Sequence, residues 1–355
     1  MAYTGINKST DYFNTVTYTG NASGQTISGV GHQPDFIWVK QRSDNGYDHS
    51  LHNSVSGLLK KLASNKTDAE VTNTDTITSS NADGFVLGAD TAGPAANSVN
   101  QDTKNYVAWN WKANGAGSAN TDGDINSTVS ANTTAGFSIV AYTGNGTNNQ
   151  TVGHGLGVAP NMVIIKNRDN GNKAWVCYHS ALGATKAIFL EQTAQANTSN
   201  SYFVNTAPTN SLFTIGDSSH VNNNGDNHIA YCFADKKGYS KFGGYTGNGS
   251  TDGTFIYTGF KPAFLLWKQT NTGGQAWGLF DNKRDPHNFV SLRLTPDTND
   301  SEGSPSAAGS CDFLSNGFKW RSDFGSRNGN GGTYIYMAFA EAPLVGSNNV
   351  PATAR

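Results

Sequence analysis

Tyr18-Thr19-Gly20-Asn21 returns as Tyr142-Thr143-Gly144-Asn145 and again as Tyr245-Thr246-Gly247-Asn248. A proline follows each tyrosine, 16, 18 and 17 residues on: Pro34, Pro160 and Pro262. Six residues after each proline stands a lysine, Lys40, Lys166 and Lys268. The residues between are mostly apolar: Phe36-Ile37-Trp38-Val39, Met162-Val163-Ile164-Ile165 and Phe264-Leu265-Leu266-Trp267. A further matching segment closes each copy, 72, 68 and 72 residues after the proline. These segments are Tyr106-Val107-Ala108-Trp109-Asn110-Trp111, His228-Ile229-Ala230-Tyr231-Cys232-Phe233 and Tyr334-Ile335-Tyr336-Met337-Ala338-Phe339. Elements recurring in one order at near-constant spacing mark an internal repeat.

The post-proline segment is apolar on both faces, which reads as a central strand covered on both sides. Proline is tolerated at such a strand's start, where no ladder donor is needed. The lysine is read as the strand's exit to solvent, its stem lying over the aromatics. The closing segment alternates, with Val107, Trp109 and Trp111 on one face, and reads as a half-buried strand. Asn45-Gly46, Asn170-Gly171 and Gly273-Gly274 supply the positive φ of tight turns. Gly84-Phe85-Val86-Leu87, Leu212-Phe213-Thr214-Ile215 and Gly317-Phe318-Lys319-Trp320 are shorter strand candidates, and Val55 to Ser64 resembles a short helix.

Many short strands joined by Gly/Asn-rich turns predict an all-β chain of three tandem β-sandwich (jelly-roll, lectin-like) modules of about 100 residues. The expected boundaries are 1–112, 137–234 and 235–342, with a Gly/Asn/Thr-rich linker at 113–136 and a C-terminal tail at 343–355. The short join at 235–238 predicts tight abutment of the second and third modules, with the first further away. A rod and a compact pseudo-threefold unit both satisfy this organisation.

Composition narrows the function. The 355 residues carry 24 Lys plus Arg against 26 Asp plus Glu, only 14% charged in all. No basic excess is present for a nucleic-acid backbone. No apolar run approaches the roughly 20 residues of a membrane helix. The first ten residues are polar and lack a signal-peptide core, so synthesis in a cytoplasm without classical secretion is expected. Cys177, Cys232 and Cys311 are too few and too dispersed for a disulfide scaffold or a metal cluster. A surface of uncharged hydrogen-bonding groups loses little when salt screens charges.

No nucleophile elbow, phosphate loop or dinucleotide fingerprint occurs. Asp48, Glu191 and Asp281 are candidate acids, but no spacing pairs them as glycoside hydrolysis requires. His49 and His52 lie three apart, on opposite sides of a strand. The expectation is therefore a non-enzymatic protein with no catalytic residue, metal centre or cofactor. Calcium is the one ion with suitable donors, at Asp122-Gly123-Asp124 and Asp44-Asn45-Gly46, which read more simply as Asx turns. For carbohydrate the best candidates are Trp320 as an exposed platform beside Lys319 and Arg321, and Tyr47 after the Asn45-Gly46 turn. Trp38, Trp109, Trp111 and Trp267 fall on core strands.

The opening Met1-Ala2-Tyr3-Thr4-Gly5-Ile6-Asn7-Lys8-Ser9-Thr10-Asp11-Tyr12-Phe13 resembles the start of structural and tail-fibre proteins of marine tailed bacteriophages. So do the Tyr-Thr-Gly-Asn…Gly…Pro…Lys pattern and the stretch from Asp124 to Val140. The resemblance runs from Ala2 to about Ala342. It implies a virion protein with concanavalin-like modules, a tail-fibre or spike component that helps recognise host-surface glycan, or else a capsid decoration, head fibre or neck protein. Its partners would be other virion proteins and further copies of itself, in a trimer as is usual among phage fibres.

Overall fold

The computed structural model describes residues 4–91, 98–303, 309–345 and 351. The opening Met1-Ala2-Tyr3 and most of the expected tail lie outside the described residues.

Each repeat builds the same four-stranded antiparallel sheet. In the first, the order is Phe13–Thr19, Asn105–Trp111, Phe36–Gln41, Ser50–Asn53. In the third it is Ser240–Thr246, Thr333–Pro343, Phe260–Gln269, Gly278–Asp281. The second repeats it with Phe137–Thr143, Asn227–Phe233, Met162–Asn167 and Val176–His179 inside an eight-stranded sheet. The closing segment is thus not half-buried. It lies between two strands, and residues 106–111 are buried on both faces.

The outer face of each large sheet is covered by a small one. Gln25–Ile27, Gly84–Leu87 and Ile77–Asn81 form it in the first repeat, Gln150–Gly153 and Leu212–Ile215 in the second, and Phe255–Tyr257, Gly317–Trp320 and Cys311–Leu314 in the third. A separate apolar layer fills each gap. Ile27, Phe85 and Leu87 meet Ile37, Val39, Tyr106 and Ala108 in the first repeat. Ile256, Phe318 and Trp320 meet Leu265, Trp267, Tyr336 and Ala338 in the third. The chain is all-β, with discrete sheet sub-domains that do not close into a barrel.

The inner faces share one core. Trp111, Phe233 and Phe339 occupy the same position of the three closing segments. Their rings form a triangle: Trp111 to Phe233 6.3 Å, Trp111 to Phe339 5.8 Å, and Phe233 to Phe339 6.2 Å. Beneath it, Trp109, Tyr231 and Met337, then Val107, Ile229 and Ile335, continue the same buried cluster. Of the two arrangements open to the sequence, the chain adopts the compact pseudo-threefold one. The first repeat does not stand apart. Its Phe36 stacks on Tyr231 of the second at 4.3 Å and its Phe13 on Phe339 of the third at 4.8 Å.

Two local expectations are corrected. Residues 113–136 are no free linker. Ser118–Asn120 and Ser127–Asn132 extend the second sheet, the latter pairing from Ser127 with Tyr142 to Asn132 with Phe137. Their Ser, Thr and Asn residues suit a sheet edge, where one face remains wet. Residues 55–64 are no helix. The Asn53 side chain accepts the amides of Val55 and Ser56, Gly57 has φ 94°, and Lys60–Lys61 pairs with Val71–Thr72.

Three nine-residue straps, 62–70, 188–196 and 294–302, close the ring. Each lies against the next repeat, and the third lies against the first. Glu70 N donates to Arg168 O at 2.7 Å, Ala196 N to Thr270 O at 2.9 Å, and Glu302 N to Arg42 O at 3.1 Å. The carbonyl of each strap's second residue accepts from a ring nitrogen nine residues after the neighbour's repeat lysine. Trp175 Nε1 donates to Ala63 O at 2.9 Å, Trp277 Nε1 to Phe189 O at 2.9 Å, and His49 Nε2 reaches Thr295 O at 3.1 Å. His49 Nδ1 accepts from Trp38 Nε1, which assigns the proton to Nε2.

Candidate functional site

The Tyr-Thr-Gly-Asn motif is a structural staple. Tyr18 stacks on Tyr106, Tyr142 on His228 and Tyr245 on Tyr334, at 5.2, 5.1 and 4.7 Å. Their hydroxyls donate to the carbonyls of Val99, Val221 and Arg327. Burial pushes all three phenols well above their ordinary pKa. The next residue in each case is a buried asparagine that the sequence reading missed: Asn100, Asn222 and Asn328. Each Oδ1 accepts the amide of the motif asparagine, and each Nδ2 donates to carbonyls of the surrounding loops. The motif glycine is required by close approach. A Cβ on Gly20 would lie 2.2 Å from Gln101 O, and one on Gly247 2.3 Å from Gly329 O.

The repeat lysines do not reach solvent. Lys40, Lys166 and Lys268 are fully buried, which overturns the reading of a strand exit. Each Nζ donates to the carbonyl of the following residue at 2.8 Å. Lys166 Nζ also reaches Thr67 O, and Lys268 Nζ reaches Ala194 O, both on the neighbouring strap. Straps close over the strand ends, so the amines are satisfied by backbone oxygens instead of water. Burial pushes all three down to about 8. Pro34 and Pro160 stand just before their strands, and Pro262 sits where the register shifts against Thr333–Pro343.

The candidate acids are spread over three repeats and engaged in the fold. Asp281 pairs with Arg284 at 2.6 Å and accepts from Trp109 Nε1 of the first repeat at 3.0 Å. Glu191 accepts the Trp175 amide, and Asp48 accepts from Asn65 Nδ2. At the proposed calcium turns, Asp124 accepts from Thr151, Asp122 from Asn120, and Asp44 pairs with Lys104. Among the described residues no group of three or more His, Cys, Asp or Glu is arranged to hold a metal ion.

Trp320 is not an exposed platform. It is buried in the third repeat's outer layer, its ring 5.0 Å from Trp267. The alternation of Gly317–Trp320 turns Phe318 and Trp320 inward and Lys319 outward. That signal was present in the sequence. Arg321 is exposed but pairs with Asp312 at 2.6 Å and with Asp252 at 3.5 Å. Tyr47 is half-buried in a loop of the first repeat, so the three residues singled out do not form one site.

The aromatics that are exposed lie elsewhere. Among the described residues the exposed large hydrophobic side chains are Leu59, Val158, Phe255, Tyr257, Phe289 and Phe324, so every aromatic in the set belongs to the third repeat. Phe255 and Tyr257 project from the outer face of its small sheet, 43% and 55% exposed. The pairings Ile27 with Phe85, Val152 with Phe213 and Ile256 with Phe318 align the repeats here. At the two flanking positions the first repeat has Thr26 and Ser28; in the second, Thr151 bonds Asp124 and the buried Gly153 lies under Asn120, which leaves no room for a Cβ. Only a comparison of the copies strand by strand exposes this signal. Beside Tyr257 opens a cleft of about 580 Å³ lined by Asp235, Lys237, Gly238, Ser240, Lys241 and Thr258. Asp235 accepts the Phe242 amide and pairs with Lys241.

Residues 8–343 match a family described as a domain of unknown function (DUF7483), and the chain belongs to that family. The match spans all three repeats together, in keeping with the shared core. No curated protein matches the chain.

Proposed function

We propose that this protein is a structural component of a bacteriophage particle, a tail-fibre or spike element whose third repeat contributes to recognition of host-surface glycan. One observation carries the recognition part: among the described residues the exposed aromatics all fall in one of the three repeats. The inward residues Ile27, Val152 and Ile256 are buried alike in the three copies. Residues that only one copy exposes are not explained by the packing the copies share, and exposed aromatics mark binding surfaces. The resemblance of the opening and of the repeat pattern to phage structural proteins supports the virion setting.

On this reading each large sheet with its small cover is a reduced β-sandwich of the jelly-roll, lectin-like kind. The shared core makes the three a rigid block. The partners are other virion proteins and further copies in a homo-oligomer, with a trimer the natural number. The activity needs no catalytic residue and no cofactor. The low charge supports contacts that persist as salt varies.

A purely structural role, as capsid decoration, head fibre or neck protein, would use the same aromatics as assembly contacts. Phe289 and Phe324, each over 40% exposed, favour it if their surface is covered in the particle. Labelling the protein on intact particles, with a glycan-array screen of the free chain, separates the two. Density on projecting fibres and retention of surface polysaccharide are expected. Density on the capsid or neck with an empty array would overturn recognition.

A further inference from the structure

We infer that Asn170 is a self-modification site: its side-chain amide is lost to attack by the Gly171 backbone nitrogen, leaving aspartate or isoaspartate in the turn after the second repeat's lysine strand. The inference does not depend on the recognition reading. The sequence holds nine Asn-Gly pairs and gives no ground for choosing among them. The structure does, because the reaction needs the glycine amide as its nucleophile. An amide already donating a hydrogen bond must first be released.

Eight of the nine glycines are held. In the staple loops Gly146 N donates to Asn222 O, Gly225 N to Gly144 O, Gly249 N to Asn328 O and Gly331 N to Gly247 O. Gly329 N donates to the Tyr334 hydroxyl at 2.9 Å, and Gly115 N to Asp35 Oδ1 at 3.1 Å. Gly317 lies inside the strand Gly317–Trp320 and pairs with Leu314 across the hairpin. The last held glycine is Gly46, and it supplies the control, since Asn45-Gly46 and Asn170-Gly171 are corresponding turns of the first and second repeats. Gly46 N donates to Asn299 O of the third strap at 3.0 Å. The matching strap carbonyl at the second repeat, Thr67 O, is taken instead by Lys173 N at 3.2 Å and Lys166 Nζ at 3.3 Å. Among the described residues Gly171 N has no partner.

The asparagine is also accessible. Both residues of the pair are exposed, so water reaches the bond that must open. Asn170 Nδ2 donates to Asp226 Oδ2 at 2.6 Å, which holds the side chain in place. Gly171 offers no Cβ to hinder the approach. The Gly171 nitrogen gives up its proton and bonds to Asn170 Cγ. The Cγ–Nδ2 bond breaks, and Nδ2 departs with that proton as ammonia. Water then opens the cyclic imide at either carbonyl. The product adds one negative charge to a chain whose net charge is −2, and sets it against Asp226 where a donor stood before. Asp226 keeps its bonds from Asn167 and Asn223, so the change is confined to this turn.

The test incubates the full chain in warm, mildly alkaline buffer and follows each Asn-Gly pair by peptide mass mapping, beside a urea-unfolded sample and a Gly171→Ala variant. Conversion in the folded chain should be fastest at Asn170, by about tenfold over the held pairs, the factor that releasing one hydrogen bond costs. In urea the nine pairs should converge, because the bonds that rank them are gone. Gly171→Ala should slow Asn170 severalfold and melt with the wild type, since the added Cβ would lie 3.9 Å from its nearest neighbour, Ala69 N. Asn170→Asp supplies the charge standard, and the aged acidic form should elute with it on anion exchange. Conversion at Asn170 no faster than at Asn45 would overturn the inference, because the two turns differ in the freedom of the glycine amide. A ranking that persists in urea would also overturn it, by tracing the rates to local sequence alone. Neither result would touch the recognition reading.

Discussion

The strap of the first repeat and the strap of the second do the same work with different side chains. Glu70 pairs with Arg168 on the second repeat at 2.8 Å, and the third strap's Glu302 pairs with Arg42 on the first at 2.9 Å. At the remaining junction the corresponding residues are Ala196 and Thr270, which form no ion pair. Yet the backbone bond between these positions survives in all three, as does the ring nitrogen that caps the second strap carbonyl. The constant part of the junction is backbone, and the ion pair is an addition. The contrast assigns the ring's cohesion mainly to the aromatic axis and the backbone straps.

The hardest test of that view is at the axis. Trp111→Ala should cost about 3–5 kcal/mol, as large-to-small changes in a packed core do. Denaturant unfolding measures it, and all three repeats should weaken in one transition because they share the core. Separate transitions would break the picture of a common axis.

Acid should come next, and it strikes both the junction that lacks an ion pair, through His179, and the third-to-first junction, through His49. His179 of the second repeat reaches Tyr336 O of the third from Nε2, and its Nδ1 accepts the Ala181 amide. Burial pushes His32, His52, His179 and His228 down to about 4. Between pH 6.5 and 4 these rings bind more protons in the unfolded chain than in the folded one, so their contribution to stability falls as pH falls through that window, opposed in part by Asp90 and Asp297, whose carboxyls burial pushes up to about 6. Melting temperatures at pH 7, 6 and 5 should decline in order, and His179→Gln should flatten the slope. A melting temperature constant to pH 5 would contradict the buried neutral state of these rings.

At the ion-paired junctions, Glu70→Ala leaves the partly buried Arg168 without its carboxylate and should cost about 1–3 kcal/mol. A double-mutant cycle with Arg168→Ala reads the coupling, and a value near zero would make the pair ornamental. Smallest of all, building the pair where it is missing, with Thr270→Arg and Ala196→Glu together, should gain no more than about 1 kcal/mol, because the new pair is offset by loss of the buried Thr270 hydroxyl's bonds to Thr333. A gain well above that would mean that the third junction is the weak link of the ring.

Much of the fold was legible in the residues, and the reasons are local. The proline, the apolar run and the lysine mark one strand three times over, and the two-face burial of residues 162–165 follows from their unbroken hydrophobicity. The straps were not legible. Leu62 to Glu70, Ile188 to Ala196 and Leu294 to Glu302 share little sequence, because the contacts they make in common are formed by amides and carbonyls. The lysines were misread for a related reason. A lysine at a strand end ordinarily reaches water, and here straps contributed by other repeats cover it. Of the site residues named from sequence, Trp320 was misplaced although the Phe318-Lys319-Trp320 alternation carried the answer. Phe255 and Tyr257 were missed because exposed aromatics on a short strand look like any other apolar pair.

By itself the sequence determined the number of repeats and the strands that carry their shared segments, since periodicity and spacing are properties of neighbouring residues along the chain. Only the tertiary structure decided that the three sheets close around Trp111, Phe233 and Phe339, that the expected linker is sheet, and that the lysines are sealed. Each of these depends on contacts between residues a hundred or more positions apart, or on backbone groups that every residue carries alike. No local pattern encodes them.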